Sequence, residues 1–314
     1  MKNLFDKNTK FIIQNSRRVL SRIDRIKATP YCYNLLYKYI EHALKEDYKI
    51  TDEFFKNESL NQIDNIKTAL TDLNIWIMWW QGLKDAPGIV QKNIAYLQKI
   101  TGKKRIKIIT KNNYERYTNI AINLKKNFRE GNISLTNWSD IVRFNILYNN
   151  GGIWIDATAT VSEKFIQYIK ENNKLDFITV SSSKPDYHWI SYGKWTAWLI
   201  GGKKRYPLFK YICLFYENYF MRHKIIIDYY VIDDIIAHFY KNNSTFYSDC
   251  NKISQNWHPY YWVSNFNNNY NRKFINKFNN LEEYSVQKLT YKYKDKIEKN
   301  NKSFLSFLLS SEEW

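Results

Sequence analysis

Between Ser139 and Thr158 the chain spells out a helix, a stop and a buried strand, and that succession leaves few folds open. Ile141, Phe144, Leu147 and Tyr148 recur at spacings of three and four, which makes one apolar helical face. Asp140 and Arg143 stand three apart on another face and project toward a common region. Gly151 and Gly152 supply the left-handed turn that ends such a helix, a conformation closed to most residues by their Cβ. Ile153 to Ile155 then reads as a short buried strand. Asp156 follows at its carboxyl end, where open α/β sheets bind their ligands. Two acids and a guanidinium carried on rigid elements can grip a hydroxylated, phosphorylated molecule. This run predicts a site.

Upstream, Asn74 to Trp80 is a β-branched and aromatic run of the kind buried in parallel sheets. Val90 to Ile100 has helical spacing, and Ile106 to Thr110 reads as a second strand. Strand, helix and strand in quick succession make a βαβ unit. Ile153 to Ile155 and Asp176 to Val180 add a third and a fourth strand, so the alternation predicts a doubly wound α/β core. Residues 1–70 carry helical patterns such as Tyr33 to Ile40, broken at Pro30 and near Thr51. They are expected to form a helical annex to a main domain over 71–314, with an acceptor-side and basic C-terminal part from about 200. Ile225 to Tyr240 reads as an apolar helix bearing Asp228, Asp233 and Asp234, with Asp234 on its solvent side. The Asn-rich stretch 265–280 is predicted to be a mobile loop.

The composition removes several classes. A hydrophobic content of 44%, of which aromatic rings are a large part, excludes a disordered chain. Cys32, Cys213 and Cys250 form no CxxC pair and no disulfide framework, which fits a reducing, cytoplasmic setting. No signal-peptide pattern opens the sequence, and no apolar run approaches the ~20 residues of a membrane span. His42, His188, His223, His238 and His258 make no HxxxH or HExxH pair. They read as surface or packing residues, with His258 in Trp257-His258-Pro259 the one candidate for a late metal or phosphate contact. P-loop, GxSxG and GxGxxG signatures are all missing. A net charge of +18 calls for an anionic partner: nucleic acid, an acidic membrane face or phosphorylated substrates, unless the lysines are simply solvated. Nucleic acid is disfavoured because no zinc-finger, RRM or basic-zipper pattern occurs. Residues 1–50 hold eleven Lys and Arg against five acids, which favours a peripheral position on the inner face of a membrane.

Ser139, Asp140, Arg143, Gly151, Gly152, Trp154 and Asp156 together resemble the sugar-binding DXD region of bacterial capsular polysaccharide synthesis proteins. That group is similar to glycosyltransferase family 32 and, more distantly, to the clostridial glucosylating toxins. The resemblance covers residues 74–240 well and the two ends poorly. Thr158 stands where the motif has its second acid, and Asp-Ala-Thr is usual in the capsular branch. The resemblance implies a GT-A fold, Rossmann-like, with a mostly parallel central sheet flanked by helices. It implies a hexosyltransferase, retaining, that moves sugar from a nucleotide diphosphate donor such as a UDP-sugar to a lipid-linked oligosaccharide of a capsule or surface polysaccharide. Asp140 and Arg143 would hold the donor sugar. Asp156, with Thr158, would meet ribose and an Mn²⁺ or Mg²⁺ ion. Trp79, Gln81 and Gly152 fall on the nucleotide side of the family pattern. Lys288 and Lys292 lie in a segment like the one that closes over the pyrophosphate; those lysines could also neutralise the diphosphate in the metal's place.

The same resemblance turns Asp228 and Asp233 toward the cleft, Asp233 as a candidate base and Asp228 on the acceptor side with Trp195 and Trp198. Metal-stimulated transfer is expected, and full activity in excess EDTA counts against it. Two other classes share the same residues: an effector glycosylating a protein acceptor, and a non-catalytic basic protein binding lipid or nucleic acid.

Overall fold

A computed structural model of the protein describes residues 2–24, 27–59, 74–172, 174–182, 185–253, 256–293 and 302–311. The strands are β1 (Ile75–Met78), β2 (Ile106–Ile109), β3 (Gly152–Ile155), β4 (Ala159–Val161), β5 (Phe177–Thr179), β6 (Leu199–Gly202) and β7 (Val286–Lys288). Helices α1 (Lys2–Arg22), α2 (Thr29–Ala43) and α3 (Lys45–Ser59) precede the sheet. Within it come α4 (Gly88–Thr101), α5 (Ile122–Arg129), α6 (Leu135–Asn150) and α7 (Glu163–Glu171). After it follow α8 (Pro207–Arg222), α9 (Val231–Asn242), α10 (Ser244–Lys252), α11 (Tyr261–Asn265), α12 (Lys273–Asn280) and α13 (Phe304–Ser310). No helix among the described residues is long and apolar enough to cross a membrane.

The central sheet runs β2-β1-β3-β6-β5. β1 is parallel to β2 and to β3, while β6 runs antiparallel to both of its neighbours. The fold is therefore a mixed α/β architecture with a mostly parallel sheet flanked by helices. The four strands expected from the sequence are present. β6 is not among them, because half of Leu-Ile-Gly-Gly lacks the side chains that signal a strand. Its glycines answer a spatial demand: a Cβ on Gly201 would lie 2.6 Å from the Gly152 carbonyl oxygen.

Helix α6 starts where Ser134 Oγ accepts the Asn137 N–H at 3.2 Å, and it stops at Gly151, whose N–H donates to the Leu147 carbonyl at 2.8 Å. Between these caps the helix is enclosed on nearly every side, so Asp140 and Arg143 are buried and do not form a surface pair.

Helices α1 to α3 share one apolar core with the rest of the chain through Ile13, Tyr33, Ile40 and Tyr48. Buried charges rivet them on. His223, just past α8, meets Asp6 of α1 at 2.8 Å and Asp47 of α3 at 3.1 Å, and Arg222 also pairs with Asp47. Tyr211 and His238 both bond Asp52. The expected break near Thr51 does not occur. The Thr51 hydroxyl donates to the Asp47 carbonyl one turn back, which keeps the residue inside α3. Residues 60–70 of the annex lie outside the described residues, as do Lys294, Lys296 and Lys299 of the basic carboxyl-terminal stretch.

Two further expectations are corrected. Within 265–280, α12 packs Phe274, Ile275 and Phe278 inward on one face, and apolar burial there overrides the Asn-rich composition. Between Ile225 and Tyr240 the helix begins only at Val231. Asp228 precedes it in a turn, with its carboxylate accepting the Tyr230 N–H.

Candidate active site

One cavity of about 500 Å³ opens beside the carboxyl end of β3. Asp140 and Arg143 from α6, Asp156 after β3 and Asp233 from the first turn of α9 all line it. Trp195 and Trp198, from the segment leading into β6, form part of its wall. Sequence periodicity put the first three groups near one another, and the fold brings six of the expected residues to one space.

Arg143 is the hub. Its Nη1 lies 3.1 Å from Asp140 Oδ1 and donates to the Ala197 carbonyl at 2.8 Å, while Nη2 donates to Asp156 Oδ1 at 3.1 Å. The guanidinium also sits 5.0 Å from the Trp154 ring centroid. Trp154 Nε1 donates to Asp156 Oδ1 at 2.9 Å. Residues 154 and 156 fall on the same side of an extended chain, so the i,i+2 spacing was the available signal for this contact. The Asp156 N–H donates to the Trp198 carbonyl at 2.8 Å, which ties the acid to the opposite wall.

Lys288 completes the cluster from β7. Strand pairing sets Lys288 opposite Ala159, and its Nζ donates to Asp156 Oδ2 at 3.0 Å and lies 5.1 Å from the Trp198 ring centroid. A residue 132 positions away in sequence reaches the site because β4 and β7 pair.

The carboxyls differ in character. Burial pushes Asp140 up to about 7; Arg143 opposes the rise, and Asp156 and Asp233 add to it. Burial likewise raises Asp233 to about 6, against the Trp195 indole and Arg143. Burial acts in the same sense on Asp156, but Lys288 and Arg143 outweigh it and hold that carboxyl below its usual value. The site thus pairs a fixed anion with two acids poised to exchange protons near neutrality.

Asp140 carries a consequence for stability. Its folded value of about 7 lies above the ordinary 3.8, so the native state keeps a proton that the unfolded chain releases. That contribution favours folding fully below the ordinary value and is lost as pH rises through the folded one. Asp140→Asn removes the charge and leaves Arg143 its other partners. The variant is expected to gain roughly 5 °C in Tm over the wild type at pH 8 and to gain little at pH 5. Calorimetry at the two pH values checks this; a variant less stable at both would refute the assignment.

Other expected residues lie elsewhere. Asp228 is buried, and its carboxylate pairs with Arg17 of α1 and does not line the cavity. Asp234, expected at the surface, is buried beside Asp228 and Arg17, and burial with the Asp228 charge raises its carboxyl far above the usual range. Gly152 serves packing. With φ +112° it lets the backbone come so close that a Cβ would lie 2.5 Å from the Asn74 carbonyl oxygen. Trp79 packs edge-on to Tyr291, and its indole N–H is buried without a partner. Gln81 and Lys292 are exposed and do not line the cavity, and His258 is exposed beside Tyr284. Thr158 lies in the turn after Asp156, where its carbonyl accepts the Leu289 N–H. The rim holds residues the sequence did not single out: Trp189, Tyr229, Tyr230, Tyr260 and Asp186. The first four are aromatic, and a chain with eighteen per cent aromatic residues offers no local cue to pick them.

The donor set does not suit a divalent cation held by the protein. Asp156 already receives Arg143, Trp154 and Lys288 on its two oxygens. Thr158 would add only a neutral hydroxyl. No group of three His, Cys, Asp or Glu among the described residues could hold a metal.

A family model described as capsular polysaccharide synthesis protein matches residues 22–308. No curated protein and no solved structure matches the chain.

Proposed function

The chain belongs to the capsular polysaccharide synthesis protein family, and from that premise we propose that it is a glycosyltransferase of GT-A type. It moves a hexose from a nucleotide diphosphate sugar, a UDP-sugar in the first instance, to a lipid-linked capsular or surface polysaccharide repeat, with retention at the anomeric carbon. It works in the cytoplasm against the inner face of the cell membrane. The observation that carries this proposal is the meeting of Asp140, Arg143 and Asp156 in one cavity, with Lys288 against Asp156.

Each group has a task set by its chemistry. Asp140 and Asp156 accept hydrogen bonds from sugar hydroxyls. Arg143, planar and always charged, holds both acids in register and faces the developing negative charge. Lys288 turns from Asp156 to the departing diphosphate. In the transfer the bond from the anomeric carbon to the diphosphate oxygen breaks, a bond to the acceptor oxygen forms, and the nucleoside diphosphate leaves with the electron pair. The acceptor hydroxyl proton passes to Asp233, whose value near 6 lets it accept a proton at neutral pH. Fixed charges aimed at a leaving group typically contribute 10²–10³ in rate each. The exposed aromatic rim of Trp189, Tyr229 and Tyr260 suits the apolar faces of acceptor sugar rings.

The test is a panel of nucleotide sugars, scored for slow hydrolysis and for thermal stabilisation of the purified protein. One donor is expected to stabilise by about 2.7 kcal/mol at a hundred times its Kd and to hydrolyse slowly without an acceptor. Because Lys288 and Arg143 carry the charge, that hydrolysis is expected to persist in excess EDTA and to fall about a hundredfold in Lys288→Gln. A protein neither stabilised by nor active on any donor is not a transferase.

A further inference from the structure

Helices α1 and α2 leave a large apolar surface uncovered. Leu4, Phe5, Phe11, Ile12 and Val19 of α1 are exposed, with Phe11 the most open at 68%. Tyr31, Leu35 and Tyr39 of α2 are exposed as well. Eight of the twenty large apolar side chains exposed among the described residues thus fall in the first forty-odd positions. Between the two helices runs a shallow groove of about 500 Å³ walled by Ile12, Val19, Leu35 and Tyr39. Surface apolar groups scattered singly need no explanation, but a contiguous patch does.

Charge selects the occupant. Within α1 the only acid is Asp6, and it is buried against His223. Lys7 and Arg18 are exposed and Lys10 is half-buried, so the open face of α1 is cationic and apolar with no acid on it. By helical rotation Lys7, Lys10 and Arg18 flank one side of the stripe formed by Leu4, Phe11, Val19 and Ile12. A stripe of large apolar residues bordered by cations is how a helix lies in a lipid interface.

We propose that the α1–α2 face docks on an anionic lipid bilayer, with Phe5, Phe11 and Leu35 entering the interface and Lys7, Lys10 and Arg18 meeting lipid headgroups. The same two helices touch the wall of the candidate active site. Arg17 lies 5.0 Å from the centroid of Tyr230, which lines the cavity, and Tyr37 donates to the carbonyl of Tyr187 in the segment that forms its rim. A bilayer under α1 and α2 would present a lipid-linked acceptor beside the cavity; this last consequence rests on the transferase proposal above, whereas the docking does not.

The full-length protein is sedimented with vesicles of phosphatidylcholine alone and of phosphatidylcholine with phosphatidylglycerol, at low and raised salt. Binding is expected to the anionic vesicles and to weaken with salt. The triple variant Lys7→Gln, Lys10→Gln, Arg18→Gln is expected to bind at least tenfold more weakly, since each cation near an anionic surface contributes a factor of roughly five. Phe5→Ser with Phe11→Ser is expected to lose as much, and both sites are exposed, so folding is unaffected. A control with equal chemistry elsewhere, Lys103→Gln with Lys104→Gln, is expected to bind like the wild type. Equal binding to neutral vesicles, indifference to the α1 variants, or a dimer that the Phe5/Phe11 variant splits would each overturn the proposal. Donor hydrolysis in the absence of lipid is read separately, so loss of docking and failure of the transferase proposal are told apart.

Discussion

Arg143→Met is expected to lower kcat/KM for donor hydrolysis by at least a thousandfold. The residue contacts Asp140, Asp156 and the Ala197 carbonyl at once, so its loss removes a charge and also frees two acids from their common anchor. A single oriented electrostatic contact contributes 10²–10³ to many enzymes, and three are lost here. Arg143→Lys is expected to recover little, because an ammonium cannot span three acceptors in one plane. The stability cost is expected to depend on pH. Near pH 6 the buried Asp140 carboxyl is mostly protonated, in keeping with its value of about 7, and needs no partner. At pH 8 it is ionised, and removing the partner of a buried charge costs about 3–5 kcal/mol. Kinetics with the best donor, alongside melting curves at both pH values, decide the matter. A variant within tenfold of wild type would show that Arg143 is merely structural.

Gly152→Ala is expected to be the most damaging small substitution in the chain. The position has φ +112°, and the added methyl would meet the Asn74 carbonyl oxygen and Trp76 Nε1, each at 2.5 Å. Neither can withdraw. The Asn74 carbonyl accepts the Ile153 N–H at 3.0 Å, and the Trp76 indole, fully buried, donates to the Gly151 carbonyl at 2.8 Å. Backbone strain and overpacking together cost roughly 3–6 kcal/mol. This corresponds to a fall in Tm of roughly 10 °C or more, or to insoluble protein. Gly102→Ala isolates the backbone contribution: φ is +87° there, but nothing lies within 4 Å of the added carbon, so a cost of only about 1 kcal/mol is expected. Thermal melts of the two variants compare close packing with conformation. A Gly152→Ala protein that folds normally and loses only donor affinity would restore this glycine to the donor site.

Much of the fold was legible because the signals were local. The β1–α4–β2 unit, the helical run from Asp140 to its stop at Gly151 and the strand ending at Asp156 each rest on residues within one element or one turn. The misses share a cause. β6 is visible only once Gly201 is seen against Gly152, and α12 only once Phe274 and Phe278 have a core to enter. Asp228 and Asp234 read from the sequence as two acids of one helix. Whether such an acid faces water, a cleft or Arg17 depends on where α1 packs, some two hundred residues away. The surroundings of Asp156 were hidden in the same way, since the sequence could not show that Lys288 and Arg143 bracket the carboxylate on which a cation was expected.

Taken alone, the sequence determined that Asp140, Arg143 and Asp156 would be carried on adjoining rigid elements, because periodicity and a glycine stop act within a few residues. The tertiary structure alone decided their protonation, their partners and the closing of the cavity around them. Those properties depend on burial and on charges brought from β7, α9 and the β6 segment, and solvent exclusion is a property of the assembled core that no window of residues contains.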